Sequence, residues 1–243
     1  MGINQQQCEG KGCCWKPVNL ESEVTGGTPW CFFPAGSNPC EKITWNGATG
    51  PGFDQSFYDK MNQFFEANIN IQGKGGVVAA PDPNTPGGSY YYHWTRDGAL
   101  TMRTYMELNQ MRLSTVETKM KAYVAWVKRV HNETDPNGFD IRINPKFELP
   151  NGEVYMGGWC RPQTDGPGLQ SAAMMTFAKI LLDNNQTSYV QSDVLPEIKF
   201  DLEWIFNNWS SNGCDLWEEV RSIDSFWGRG RFVFGLSCGK ELC

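Results

Sequence analysis

Histidine is scarce in this 243-residue sequence: His93 and His131 are the only two. A multi-histidine metal centre is therefore excluded, and the sequence points to no metal and no cofactor. Cationic side chains are the minority, 21 Lys and Arg against 27 Asp and Glu, for a net charge of -6. That balance excludes the basic stripe of a phosphate-backbone binder, so no nucleic-acid partner is expected. No apolar run approaches the length of a bilayer crossing, so no membrane partner is expected either. The opening MGINQQQCEG lacks the apolar stretch of a signal peptide, and Gln6 stands where a myristoylation motif needs Ser or Thr. There is no Gly-x-Ser-x-Gly elbow, and Gly73-Lys-Gly-Gly76 does not make a phosphate loop.

What the sequence does hold is aromatic and sulfur-rich. Ten Trp and 13% aromatic residues supply flat rings that either fill cores or stack on sugars and bases. Nine Cys are present, and Cys8, Cys13, Cys14, Cys31 and Cys40 crowd into the first forty residues. Such density reads as a disulfide framework formed in an oxidising compartment. Three sequons, at Asn132, Asn185 and Asn208, agree with an extracellular or digestive-vacuole (lysosome-like) location. Because no signal peptide is visible, residue 1 is expected not to be the natural start.

The texture of the chain changes along its length. Residues 1–34 are rich in Cys, Gly and Pro and too small to hold a core without crosslinks. Residues 35–52 read as a linker of Gly, Pro, Ser and Asn. From residue 53 to 226 helical periodicity takes over, and 227–243 diverges from it. Helices are predicted over 53–68, with Phe57, Tyr58, Met61, Phe64 and Phe65 at helical spacing and Asp54 or Ser56 as a cap. Further helices are predicted over 97–108, 115–130, 169–182 and about 194–209. The expected seam of the second and third runs through Leu100, Met102, Tyr105, Met106 and Leu108, then Met120, Tyr123, Val124, Trp126 and Val127. Helices joined by long loops, without strand–helix alternation, make an all-α domain. Loops this long in a compact domain usually carry function.

Three loop segments concentrate the chemistry. The first is Tyr90-Tyr-Tyr-His-Trp-Thr-Arg-Asp97, in which Arg96 and Asp97 suit sugar hydroxyls while Tyr90 and Trp94 offer flat faces. The bland alternative is an exposed loop in which Asp97 caps the next helix. The second is Tyr155-Met-Gly-Gly-Trp-Cys-Arg-Pro-Gln-Thr-Asp-Gly-Pro167, where Trp159 and Arg161 precede a helix that Asp165 is placed to cap. The third is Cys214-Asp-Leu-Trp-Glu-Glu-Val220. Glu218 and Glu219 would diverge by about 100° on a helix, so they do not oppose one another as acid and base. One of them serves as a general acid, or both complement a helix N-terminus. Apolar Trp217 beside them would raise a carboxyl toward the range of a useful acid.

Taken in order and spacing, the segments 90–97, 157–167 and 215–220 resemble the family 15 glycoside hydrolases, the glucoamylases. The resemblance covers about residues 54–226. It implies the first half of an (α/α)6 barrel that binds α-glucans and releases glucose from α-1,4 links with inversion. In that reading Glu218 is the general acid, and Glu219, Arg96 and Asp97 hold the sugar. Tyr90, Trp94, Trp159 and Trp217 line the pocket, with Arg161 at the adjoining subsites. The family usually has Gly where this chain has Cys160, which either tightens the loop or offers a disulfide partner. Inversion also needs a second carboxylate about 6.5–9.5 Å from the acid. The resemblance puts that base beyond residue 227, so the chain is expected to be an incomplete enzyme. The alternative from another class is a secreted, non-catalytic glycan-binding protein that keeps the pocket without the base.

Residues 2–15 and Pro29-Trp-Cys-Phe-Phe-Pro34 resemble a P-type trefoil domain, making 1–34 a partial copy. Cys8, Cys13, Cys14 and Cys31 match the last four of that family's six Cys. The resemblance therefore implies a Cys8–Cys31 bridge, with the partners of Cys13 and Cys14 upstream of Met1.

Overall fold

The computed structural model describes residues 5–9, 14–15, 31–32, 54–82, 84, 89–208, 211–214 and 221–222. Cys13, the linker 35–52, Trp217, Glu218, Glu219 and the tail 227–243 lie outside them. The chain forms two compact units, residues 1–59 and 60–243.

In the first unit a short helix, α1 (Gln5–Glu9), is followed by strands β1 (Cys14–Trp15) and β2 (Cys31–Phe32). The strands pair antiparallel, with Trp15 opposite Cys31. Cys8 is fully buried and disulfide-bonded. The side chain of Cys31 lies outside the described residues. At the end of this unit Asp54 starts helix α2 (Gln55–Ala67), its carboxylate accepting from Phe57 N at 2.9 Å. The hydrogen bond from Ser56 Oγ, and after it the one from Phe57 N, holds its pKa below the ordinary carboxylate value. The helical spacing of α2 holds, and most of its apolar face is open. Phe57, Met61 and Phe64 are exposed, and Phe65 alone of the five packs partly on a core.

The second unit is helical. Helices α3 (Thr95–Leu108), α4 (Leu113–His131), α5 (Gly166–Asp183), α6 (Thr187–Tyr189) and α7 (Leu195–Asn208) form it. Strands β3 (Tyr92–Trp94), β4 (Lys146–Glu148), β5 (Gly213–Cys214) and β6 (Arg221–Ser222) make two small antiparallel ribbons. The elements agree with an all-α reading, because the strands only fasten loops.

Helix α5 is central. Apolar and small residues occupy nearly its whole circumference, and it is buried from Gly166 to Leu181 with few exceptions. A helix apolar on all sides must be surrounded, and α5 packs between α3 and α7. The core beside it joins Met102, Met106, Met120, Tyr123, Trp126, Phe147, Phe177, Leu181, Val194 and Ile198. Each such side chain, fully withdrawn from water, contributes about 1.5–3 kcal/mol.

Two details of the predicted seam are corrected. Leu100 and Leu108 are exposed. The buried stripe of α3 runs through Gly98, Ala99, Met102, Tyr105 and Met106, and these two leucines fall off it. The last helix, α7, begins close to the expected residue 194, but it continues a helical path that starts upstream. Pro196 looks like a first-turn residue, yet the helical path already runs from Thr187 through a π-turn at Val190–Val194. Proline lacks the N–H for the α-ladder, and a wider turn just before it absorbs that loss.

Candidate active site

The site is assembled where α3 and α5 begin side by side. Gly166 lies against Thr95 so closely that a Cβ there would stand 3.1 Å from Thr95 Cγ2. Strand β3 leads into α3 and pairs with β4, putting Trp94 opposite Lys146 and His93 opposite Phe147. Alternation across the strand sends successive side chains to opposite faces. His93 turns inward and is buried, its Nδ1 facing Val77 N at 3.0 Å. Burial pushes its pKa down to about 3, although a backbone bond to Val77 opposes the shift. Gly98 is required by this ring, because a Cβ there would stand 2.3 Å from His93 Cε1.

The other face of the ribbon carries a wall of rings. Tyr90, 43% exposed, stacks on buried Trp94 with centroids 5.7 Å apart. Trp159 meets Trp94 edge-on at 5.9 Å, and Tyr155 meets Trp159 at 6.4 Å. Tyr92 closes the ring of contacts, 5.8 Å from Trp94 and 5.1 Å from Tyr155. Behind the wall lies an ammonium group. Lys146 is 2% exposed, and its Nζ sits 3.6 Å from the Trp159 centroid, 3.7 Å from Tyr155, 4.4 Å from Tyr92 and 4.8 Å from Trp94. A desolvated cation on an aromatic face contributes about 2 kcal/mol or more, which offsets part of the cost of burying it. Sequence reasoning missed Lys146. One lysine in a long loop looks like a solvated residue, and only the β3–β4 pairing seen in the structure brings it to the rings. Burial raises the Tyr92 pKa, helped by Glu148 directly across the ribbon, and burial likewise raises that of Glu148.

The polar half of the site is built by Arg96 and the loop before α5. Arg96 Nη1 donates to Asp165 Oδ2 at 3.1 Å and to Gln163 Oε1 at 3.3 Å, while its Nε lies 3.5 Å from Asp97 Oδ2. The bland alternative, in which Asp97 and Asp165 act only as helix caps, is not what the structure has. Asp165 occupies the cap position of α5, but its carboxylate faces Arg96 and makes no cap bond. Asp97 stands in the first turn of α3, past the cap position held by Trp94. The helix dipole favours its carboxylate there, and its side chain is 44% exposed. Arg161 turns inward instead of toward the wall's open side. It donates to Asn144 Oδ1 at 2.9 Å and to the carbonyls of Gly157, Trp159 and Tyr155, fixing the shape of the 155–161 loop.

Cys160 has a disulfide partner, Cys214, 54 residues away. Around that bond Cys214 N donates to Pro162 O at 2.8 Å, and Cys214 bridges Gln163 in parallel. Gly213 fits because a Cβ would stand 2.8 Å from Thr164 Cγ2. The loop bearing Trp159 is thus fastened to the residue that precedes Asp215–Val220. Of the site residues expected from sequence, Tyr90, Trp94, Arg96, Asp97 and Trp159 come together, and Arg161 supports them from behind. Trp217, Glu218 and Glu219 lie outside the described residues. A hollow of about 500 Å³ between α7 and residues 140–143 contains none of the expected site residues; Arg142, Phe200 and Trp204 line it.

With this geometry in place, comparison with known proteins is decisive. The family model "Glycosyl hydrolases family 15" matches residues 61–231, well over half of the sequence. The chain belongs to glycosyl hydrolases family 15. A second model, the Trefoil (P-type) domain, matches residues 1–34. Among family 15 relatives, Glucoamylase-1 of Schizophyllum commune is 33% identical over 170 residues, 66% of this chain and 29% of its own. Glucoamylase 1 of Rhizopus oryzae is 38% identical over 161 residues, 64% of this chain and 26% of its own. Among solved structures, the family 15 glucoamylase from Hypocrea jecorina superposes with a TM-score of 0.69 at 29% identity, covering 74% of this chain and 32% of that one. The helices described above are therefore arranged as in a family 15 α/α barrel. The chain spans between a quarter and a third of the length of these relatives.

Proposed function

We propose that the protein containing this chain removes glucose from the ends of α-1,4-glucans by inverting hydrolysis, with Glu218 as the general acid. The observation that carries the reading is the joint placement of the ring wall and the Arg96–Asp97–Asp165 cluster. The flat faces of Tyr90 and Trp159 suit the apolar faces of a pyranose, and buried Trp94 backs both rings. Asp97 suits the hydroxyls of the terminal sugar, and Arg96 is held ready beside it by Asp165. The Cys160–Cys214 bond brings the strand that leads to Glu218 up to this wall. The relatives that match are named glucoamylases, which supports the same substrate class. In this reading Trp217 and Glu219 complete the pocket, residues 1–34 are a partial trefoil, and the location is extracellular or in a digestive vacuole.

In the reaction Glu218 gives its proton to the glycosidic oxygen as the bond to the anomeric carbon breaks. Water enters from the opposite face of the ring and yields β-glucose. That water needs a second carboxylate about 6.5–9.5 Å from the acid, a role assigned to no described residue. The test is proton NMR of maltotriose hydrolysis by the full-length protein. The expected result is β-glucose appearing first. Glu218→Gln should slow hydrolysis at least about 100-fold while leaving maltose binding measurable, because the amide keeps the shape but cannot donate the proton. Undiminished turnover in that variant removes Glu218 from the role. Maltose binding without any turnover by the wild type favours the glycan-binding alternative.

A further inference from the structure

The structure distinguishes the three sequons. Asn132 is exposed, but its Nδ2 is committed to Lys128 O at 2.6 Å. Asn208 is half-buried beside the hollow of α7, and its Nδ2 donates to Trp204 O at 2.9 Å. Asn185 differs from both. It is exposed and closes α5 in the left-handed region at φ 61°, where Asn is tolerated better than most residues. Its side chain makes no hydrogen bond among the described residues.

The turn that presents Asn185 is firmly held. Its own N–H donates to Leu182 O at 3.0 Å, and Gln186 N donates to Leu181 O at 2.9 Å. The Gln186 side chain then clamps onto α4, accepting from Lys121 Nζ and donating to Glu117 Oε1, each at 2.9 Å. Thr187, the third sequon position, is exposed at the start of α6. A sugar on Nδ2 replaces one amide hydrogen. At Asn132 and Asn208 the bulk of a sugar must be fitted against a helix carbonyl, and at Asn185 it meets solvent.

We propose that Asn185 carries an N-linked oligosaccharide and is the preferred acceptor of the three. The disulfides at Cys8 and at Cys160–Cys214 place the folding chain in an oxidising compartment. The donor is an oligosaccharide on a lipid pyrophosphate. The Nδ2–C1 bond forms as the C1–oxygen bond to phosphate breaks, the amide nitrogen loses a proton, and the lipid pyrophosphate leaves. The glycan would not obstruct the site. Asn185 follows the C-terminal end of α5, while the site lies at its N-terminal end, and 18 residues of helix span roughly 27 Å.

Trypsin separates the three sequons onto residues 130–142, 180–199 and 200–221. Protein secreted by eukaryotic cells is reduced, digested and treated with peptide N-glycosidase in heavy-oxygen water. The expected result is labelled Asp at position 185 as the dominant product. An N185G variant, which suits the left-handed turn but removes the acceptor, is expected to lose one glycan in mass and to melt normally. Residues 180–199 recovered unmodified, equal labelling at Asn132 or Asn208, or an unshifted mass in N185G would each overturn the proposal.

Discussion

The two histidines have opposite electrostatic surroundings, and each leaves its own mark on stability. His131, at the end of α4, meets Glu197 Oε2 at 2.6 Å and Asp201 Oδ1 at 3.2 Å, while Gln170 Nε2 donates to the second oxygen of Asp201 at 2.9 Å. Burial alone would lower its pKa, but Asp201 and Glu197 outweigh burial and raise it to about 9. Its contribution is complete below the unfolded value of about 6.5 and is lost as pH rises through about 9. His93 is the reverse case. Held neutral with a pKa of about 3, it favours the folded state above about 6.5 and loses that advantage as pH falls. Asp140 and Asp193, both lowered, add to the acid-side loss. The melting temperature should therefore peak near pH 6.5 and fall on both sides. His131→Gln should flatten the alkaline limb. It should also cost about 3–5 kcal/mol at neutral pH, because Glu197 and Asp201 lose their counter-charge. An alkaline limb unchanged in this variant, followed by calorimetry, would reject the assignment.

Among the elements, the ribbon of residues 160–164 with 213–214 matters most for the site. Removing its disulfide, with C160G for the family's usual residue and C214S for its partner, should cost about 2–4 kcal/mol. If the bond also positions Trp159, hydrogen exchange at residues 155–165 should rise, and KM for maltotriose should increase several-fold with kcat less affected. A lower melting temperature with unchanged exchange would restrict the bond to a stabilising role. How legible such elements were follows from their physics. The buried stripes of α3 and α4 repeat at helical spacing and α5 is one long apolar run, so the all-α core could be read directly. Tyr90, Trp94, Arg96, Asp97 and Trp159 were legible because they crowd short loop segments. Lys146 and the His131–Glu197–Asp201 cluster were not, because their partners are far away in sequence and only packing unites them. The exposed face of α2 was not legible for a related reason: periodicity reports that a face is apolar, and burial depends on what packs against it.

At the scale of the whole molecule, two units of unequal size rest on different forces. The described residues of the larger unit bury a large apolar area beside α5. The first unit is small, and its sequence is dense in Cys rather than in core residues. Domains of that size rely on crosslinks. Mild reduction should therefore raise hydrogen exchange in α1, β1 and β2 while the helical circular dichroism of the larger unit persists. Simultaneous loss of both would show that the larger unit depends on the smaller one.

The placement of His93 and His131 has a practical side. The chain has no third histidine. The His93 residue is 1% exposed, and the His131 side chain is 6% exposed. A reagent that acylates imidazole finds almost nothing to attack on the folded molecule, and both rings become available once α3, α4 and α7 separate. Histidine acylation of this chain thus records how many molecules have opened their core, a built-in chemical clock for unfolding that needs no added label.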